Sequence, residues 1–251
     1  MAGTTNTSLY TGQIDYQNVQ SLQNVLSYWT IPLTSLTVNS GSVSLPSGSS
    51  SLAAIDTGTT LIGGPAEQVA ALYALIPGSS AGTGNLEGYY VYRTSSRIPL
   101  LISCLPMPFP VACSTTVNVA LSFGGQTWSI SSDDMKLQQL SNSQCLGAVF
   151  TFSTSTSNSV GPAWIIGDTF LKNVYSVFRA NPASIGFAQL AADAQSLVTQ
   201  GGVPTPTIGS VSASVTGSGR SDSNAALPAT MPRLALLLLC ATGSISLFNF
   251  L

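Results

Sequence analysis

An all-β domain carrying one short helix is what the sequence predicts, and three observations lead there. Short runs rich in Val, Ile, Thr, Tyr and Phe fill the chain from Leu9 to about Leu190, Gly, Ser, Pro and Asn punctuate them, and a single segment has helical spacing. Tyr28-Trp29-Thr30-Ile31-Pro32-Leu33 reads as an early strand and Val117-Asn118-Val119-Ala120-Leu121-Ser122-Phe123 as a later one, closed by a Gly124-Gly125 turn. Tyr175-Ser176-Val177-Phe178 reads as one of the last. Alternation gives such strands one buried face, as in antiparallel sheets. The helix has Pro65 at a first-turn position and Glu67 near the positive end of its dipole. Val69, Leu72, Tyr73 and Ile76 follow at helical spacing, and Pro77-Gly78 ends it.

Composition narrows the chemistry. Apolar residues make up 44% of the chain, which is enough for a packed core. Only 6% of residues are charged and the formal net charge is -2, so there is no basic field to gather nucleic acid. Histidine is absent, which removes the base of Ser-His-Asp and Cys-His catalysis and the commonest zinc ligand. Carboxylates and hydroxyls are left to carry any reaction. Cys104, Cys113, Cys145 and Cys240 contain no C-x-x-C pair, so neither a zinc ribbon nor a thioredoxin-type redox site is supported, and no metal or cofactor is expected.

Three segments stand apart from this domain. Pro99, Pro106, Pro108 and Pro110 interrupt the stretch from Arg93 to Ala112, which reads poorly as a central strand because proline donates no ladder hydrogen bond. From Ala191 to Asn224 the chain turns to Ser, Thr, Gly and Pro and is expected to be a flexible stalk without a fold, a candidate for O-glycosylation. After Arg233 it is apolar or small to Leu251, about long enough to cross a bilayer. The first residues, Met1 to Ser8, have neither the basic nor the apolar region of a signal peptide, so none is expected here.

The segment that carries chemistry is Leu52-Ala53-Ala54-Ile55-Asp56-Thr57-Gly58-Thr59-Thr60-Leu61-Ile62. An apolar strand delivers an aspartate onto a loop whose hydroxyls and amides can orient its carboxylate. Alone, D-T-G is equally the signature of a turn aspartate bonding to its own loop. The second signal is Trp164-Ile165-Ile166-Gly167-Asp168-Thr169-Phe170-Leu171, followed by Tyr175-Ser176-Val177-Phe178 and Ile185-Gly186-Phe187-Ala188.

Together these segments resemble the closing half of pepsin-like aspartic proteases of the fungal secreted type, with Ser8-Leu9-Tyr10-Thr11-Gly12 and Tyr28 to Leu33 similar to the first strands of that family's C-terminal lobe. The resemblance implies one lobe of the bilobal acid protease fold over residues 1–190, with the short helix after the aspartate loop. It implies Asp56 as a catalytic carboxylate and Thr57 as a clamp to the opposite lobe. Gly58, Thr59 and Thr60 would bind substrate, as would Ala54 and Ile165 lining a pocket, while Ile166 and Gly167 support the loop from behind. A disulfide between Cys113 and Cys145 is implied as well, with Arg93 to Ala112 an insertion, and a candidate retained intron, just before it.

The family's reaction needs two carboxylates sharing a proton, an established mechanism rather than a deduction from these residues. No second D-T-G or D-S-G occurs in the 251 residues. Asp133 and Asp134 read as an exposed turn, and Asp168 as a strand residue outside the site. Arg179 is a further departure, since the family more often has an acid there. Three readings follow: half of an endopeptidase acting on protein or peptide substrates, completed by an N-terminal lobe; an inactive cell-surface lobe that binds peptides or wall components; or a homodimer in which a second copy supplies the other aspartate. Residues 225–251 are expected to be a GPI-attachment signal, with a membrane anchor as the alternative, placing the protein at the cell surface or outside the cell.

Overall fold

Short β-branched and aromatic runs between glycine turns build, among the described residues, four small sheets rather than one large one. The computed structural model describes residues 3–22, 24, 26, 28–93, 115–141, 143–152 and 161–200, and all of them lie in the unit spanning Met1–Gly217. In chain order the first strands are β1 (Tyr10–Asn18), β2 (Thr30–Pro32), β3 (Ser35–Val38), β4 (Gly41–Ser42), β5 (Leu52–Ile55) and β6 (Ile62–Gly64). Helix α1 (Ala66–Ala74) precedes β7 (Ser80–Ala81), β8 (Tyr90–Arg93), β9 (Val119–Ser122), β10 (Thr127–Ile130), β11 (Lys136–Ser141) and β12 (Gln144–Gly147). The last elements are β13 (Val149–Thr151), β14 (Trp164–Ile166), α2 (Asp168–Leu171), β15 (Val174–Ala180), β16 (Ala183–Leu190) and α3 (Ala192–Gln200).

The sheets run β1-β16-β15, β10-β9-β3-β4, β11-β12-β8-β7 and β13-β6-β14-β5-β2. The last positions the site. Its strand β14 pairs parallel with β5, Ile165 opposite Ala54 and Ile166 opposite Ile55, and antiparallel with β6, Ile165 opposite Gly63 and Ile166 opposite Ile62. The loop joining β5 to β6 is therefore straddled by its own two strands with β14 between them. All four residues of β5 are buried, so the strand reads as a continuous apolar run rather than an alternating one.

Two predicted strands are shorter than the residues suggested. β2 keeps only Thr30–Pro32, and Pro32 is tolerated because β2 is the edge of its sheet, where a missing N–H costs no ladder bond. β9 begins at Val119 because the preceding amides are taken by side chains: Val117 N–H donates to Ser132 Oγ (2.9 Å) and Asn118 N–H to Asn39 Oδ1 (3.2 Å). The stalk needs a larger correction, since its opening residues form α3. Helix-favouring Ala192, Ala194 and Gln195 with Asp193 in the first turn explain it, and Ala194 is buried. The remainder of the stalk, residues 201–224, and the tail 225–251 lie outside the described residues.

Helix α1 behaves as its pattern requires. Pro65 is its N-cap, one position before the first turn, and Val69, Leu72, Tyr73 and Ile76 are all buried in the main core. Gly78, at φ +74, permits the left-handed turn that ends the segment. Tyr73 also ties the helix to β13, since its hydroxyl donates to Val149 C=O (2.8 Å) and accepts from Val149 N–H (3.1 Å). Its ring stacks on Tyr90 at 4.4 Å. Burial, partly offset by the Val149 bond, pushes the phenol well above its usual range, so it stays neutral. Tyr73→Phe strands both backbone groups of Val149 and is expected to destabilise the chain by about 1–3 kcal/mol in urea unfolding, with the fold retained by circular dichroism.

Candidate active site

Asp56 follows directly on β5, and its backbone N–H donates to Ile166 C=O on β14 at 3.0 Å. Each carboxylate oxygen has one donor: Gly58 N–H on Oδ1 at 2.9 Å and Thr59 Oγ1 on Oδ2 at 2.6 Å. A Cβ at position 58 would lie 3.3 Å from Oδ1, so glycine lets the backbone approach this closely. Asp56 itself is half-buried while Thr57 and Gly58 are exposed, so the carboxylate is oriented from within its loop and retains lone pairs for a further partner.

The turn after β14 backs the loop from behind. Gly167 N–H donates to Leu61 C=O (3.1 Å), Asp168 N–H to Thr59 C=O (2.8 Å), and Thr169 through both N–H (2.8 Å) and Oγ1 (3.1 Å) to Thr60 C=O. Three successive residues thus satisfy the carbonyls of the aspartate loop. A Cβ on Gly167 would fall 2.0 Å from Thr59 O and 2.6 Å from Leu61 O, so no larger residue fits. Ile166 is fully buried. Ala54 and Ile165 are register partners on neighbouring parallel strands, which places their side chains on one face of the sheet. Thr57 makes no side-chain hydrogen bond among the described residues.

Two expectations about acids change here. Asp168 is no strand residue outside the site; it opens α2 and bonds to the aspartate loop, because the strand ends where Gly167 crosses that loop. Burial raises its pKa, Lys172 opposes the rise, and the charge on Asp56 adds to it. Asp134 does lie in the expected turn but is not exposed there. It forms a salt bridge to Lys172 and accepts Asn173 Nδ2 at 2.9 Å, while Asp133 remains exposed beside Lys136. The sequence signal for Asp168 was its place directly after the Ile165-Ile166-Gly167 crossing.

The shift on Asp168 has testable consequences. Removing one of its causes by Asp56→Asn should lower the Asp168 pKa, and Lys172→Met should raise it, both read by carboxyl-carbon NMR titration of the chain. The sign for stability follows. A carboxyl with a raised folded-state pKa loses stability as pH climbs from the ordinary aspartate range through the folded value, because the unfolded chain gives up the proton first. Asp168→Asn should therefore flatten that decline.

Elsewhere, Cys145 is buried and disulfide-bonded, and its partner lies outside the described residues, as do Cys104, Cys113 and Cys240. The proline-rich segment is likewise outside them, apart from Arg93, which belongs to β8 and pairs with Gln144. Arg179 is engaged within its own sheet, over the ring of Tyr16 on β1 at 4.2 Å and donating to Ser184 Oγ on β16 at 2.8 Å. Among the described residues no helix is long and apolar enough to cross a membrane.

"Major aspartyl peptidase 1" of Cryptococcus neoformans var. grubii is 40% identical over 195 residues, covering 75% of this chain and 35% of that protein. An "Aspartic protease" of Phaffia rhodozyma is 36% identical over 193 residues, covering 74% of this chain and 40% of its own length. Human "Cathepsin D" is 28% identical over 193 residues, covering 76% and 40%. The chain thus spans well under half of each of these relatives. A family model described as eukaryotic aspartyl protease matches residues 1–190, the whole of the β-rich region and its aspartate loop, and on that match the chain belongs to the eukaryotic aspartyl protease family.

Proposed function

We propose that this chain is one catalytic half of an aspartic endopeptidase, with Asp56 as one member of the dyad and the second carboxylate supplied by a complementary lobe. The observation that carries this reading is the Asp56 carboxylate, oriented by Gly58 N–H and Thr59 Oγ1 with lone pairs still free. One carboxylate takes a proton from water as the water oxygen attacks the scissile carbonyl carbon, and the other, protonated, gives its proton to the carbonyl oxygen. A solitary carboxylate cannot fill both roles. Thr57, exposed and unbonded among the described residues, clamps the opposite lobe; Gly58, Thr59 and Thr60 contact substrate backbone; Ala54 and Ile165 line a side-chain pocket. Ile166 and Gly167 hold the loop against β14.

The test is reconstitution. The chain joined to the complementary lobe of a relative should cleave denatured protein at pH about 3–5, the range in which a coupled pair is half-protonated, and a pepstatin-type transition-state analogue should block it. An assembled but inactive two-lobe protein overturns the proposal.

The same reading places the protein outside the cell or on its surface, held by the apolar tail after Arg233, either through a GPI anchor or directly. It also pairs Cys145 with Cys113. Support for the pairing comes from Thr115 Oγ1, which donates to Arg93 C=O at 2.9 Å, while Tyr92 and Arg93 lie opposite Cys145 and Gln144. The chain therefore leaves β8 and returns beside the same rung, as an insertion between Arg93 and Cys113 requires. A non-reduced digest should recover the Cys113–Cys145 peptide, and losing that bridge should cost roughly 3–4 kcal/mol in the chain-entropy view. A Cys104–Cys145 peptide contradicts the pairing.

A further inference from the structure

We propose that Asn6 is a site of N-linked glycosylation. Asn6-Thr7-Ser8 is the one Asn-x-Ser/Thr triplet, with x other than proline, in the 251 residues. The triplet alone is a weak signal in a chain this rich in Ser and Thr, and its local geometry adds what the pattern lacks. Asn6 Oδ1 accepts the Ser8 backbone N–H at 3.1 Å and the Ser8 hydroxyl at 2.7 Å. Both bonds span two residues, so they can form in the nascent chain before any tertiary contact exists. With Oδ1 doubly bonded, the acceptor nitrogen Nδ2 carries no hydrogen bond among the described residues.

The folded chain accommodates the modification. Asn6 is half-buried, Thr7 and Ser8 are exposed, and the segment leads into β1. The fold grips Asn6 by its backbone instead of its side chain: Asn6 N–H donates to the Tyr175 hydroxyl at 3.1 Å, and Tyr175 stacks on Tyr10 at 4.8 Å. Leu9 N–H closes the turn on Asn6 C=O at 3.1 Å. The co-reactant is a lipid-pyrophosphate-linked oligosaccharide. Nδ2 attacks C1 of its first sugar, the N–C bond forms as the C–O bond to pyrophosphate breaks, the lipid pyrophosphate departs, and Nδ2 surrenders one of its two protons to a base of the transferring enzyme.

This inference rests on the extracellular reading, so its test carries a control for delivery. The full chain is secreted from yeast behind a cleavable leader, with a short tag containing Asn-Gly-Thr between leader and Met1. Two mobility steps sensitive to peptide-N-glycosidase are expected. Asn6→Gln and Ser8→Ala should each remove one, while Ser8→Thr keeps both, and release in heavy-oxygen water should leave labelled Asp at position 6. Modification of the tag alone in the unaltered chain overturns the site, as does a second glycan that survives both Asn6→Gln and Ser8→Ala. If neither tag nor chain is modified, the chain never reached the lumen, and the extracellular reading falls together with the site.

Discussion

Asp56→Asn, introduced into the chain joined to its complementary lobe, should abolish acid-pH cleavage while leaving the fold intact. The substitution is nearly isosteric, and an asparagine Oδ1 can still accept the Gly58 N–H that holds it at 2.9 Å. Thr59 then faces either oxygen or nitrogen, and its hydroxyl can act as donor or acceptor, so the loop retains both local bonds. What disappears is the ionisable group. A rate loss on the order of 10⁴-fold is expected, the upper end of what acid–base groups contribute, with substrate binding changed much less. Thermal unfolding and circular dichroism should match the unaltered protein. Activity within about tenfold of normal would remove Asp56 from the mechanism.

Gly167→Ala should be among the most damaging small substitutions in the domain. The added methyl carbon meets Thr59 O at 2.0 Å and Leu61 O at 2.6 Å, both backbone atoms of the aspartate loop. Neither can rotate away. Relief requires β14 and the loop to separate, which also breaks the Gly167–Leu61, Asp168–Thr59 and Thr169–Thr60 hydrogen bonds. A destabilisation of about 3–5 kcal/mol is expected in urea unfolding, together with loss of activity in the two-lobe protein. Gly41→Ala provides the contrast, because the atoms nearest its Cβ belong to the rotatable side chain of Leu75, at 2.7 Å, and it should cost under about 1.5 kcal/mol. Equal effects from the two substitutions would mean that the crossing yields more readily than its packing indicates.

What the sequence made legible was local. The aspartate loop, the Pro65 helix and the Ile165-Ile166-Gly167 crossing are each written in a short run of adjacent residues, and β14 does run between β5 and β6. Features that depend on distant partners were not visible. Nothing in Asp168 announces that burial and the Asp56 charge will act on it, and nothing in Asp134 announces Lys172. Tyr73 read as one more apolar helix position, yet its hydroxyl fixes Val149, 76 positions away. The stalk composition hid α3 because Ser, Thr, Gly and Pro dominate only after its first turns. Arg179 stood out as a departure, and its partners Tyr16 and Ser184 are a matter of how β1, β15 and β16 assemble.

The most direct test of the central claim, that Asp56 needs a carboxylate from another lobe, is the initial rate of acid-pH peptide cleavage by this chain alone across a range of its concentration. If Asp56 is one half of a dyad, no measurable rate is expected at any concentration, and activity only when the complementary lobe is added. A rate that rises with the square of the chain concentration at low dose would contradict the account and assign the second aspartate to another copy of the same chain.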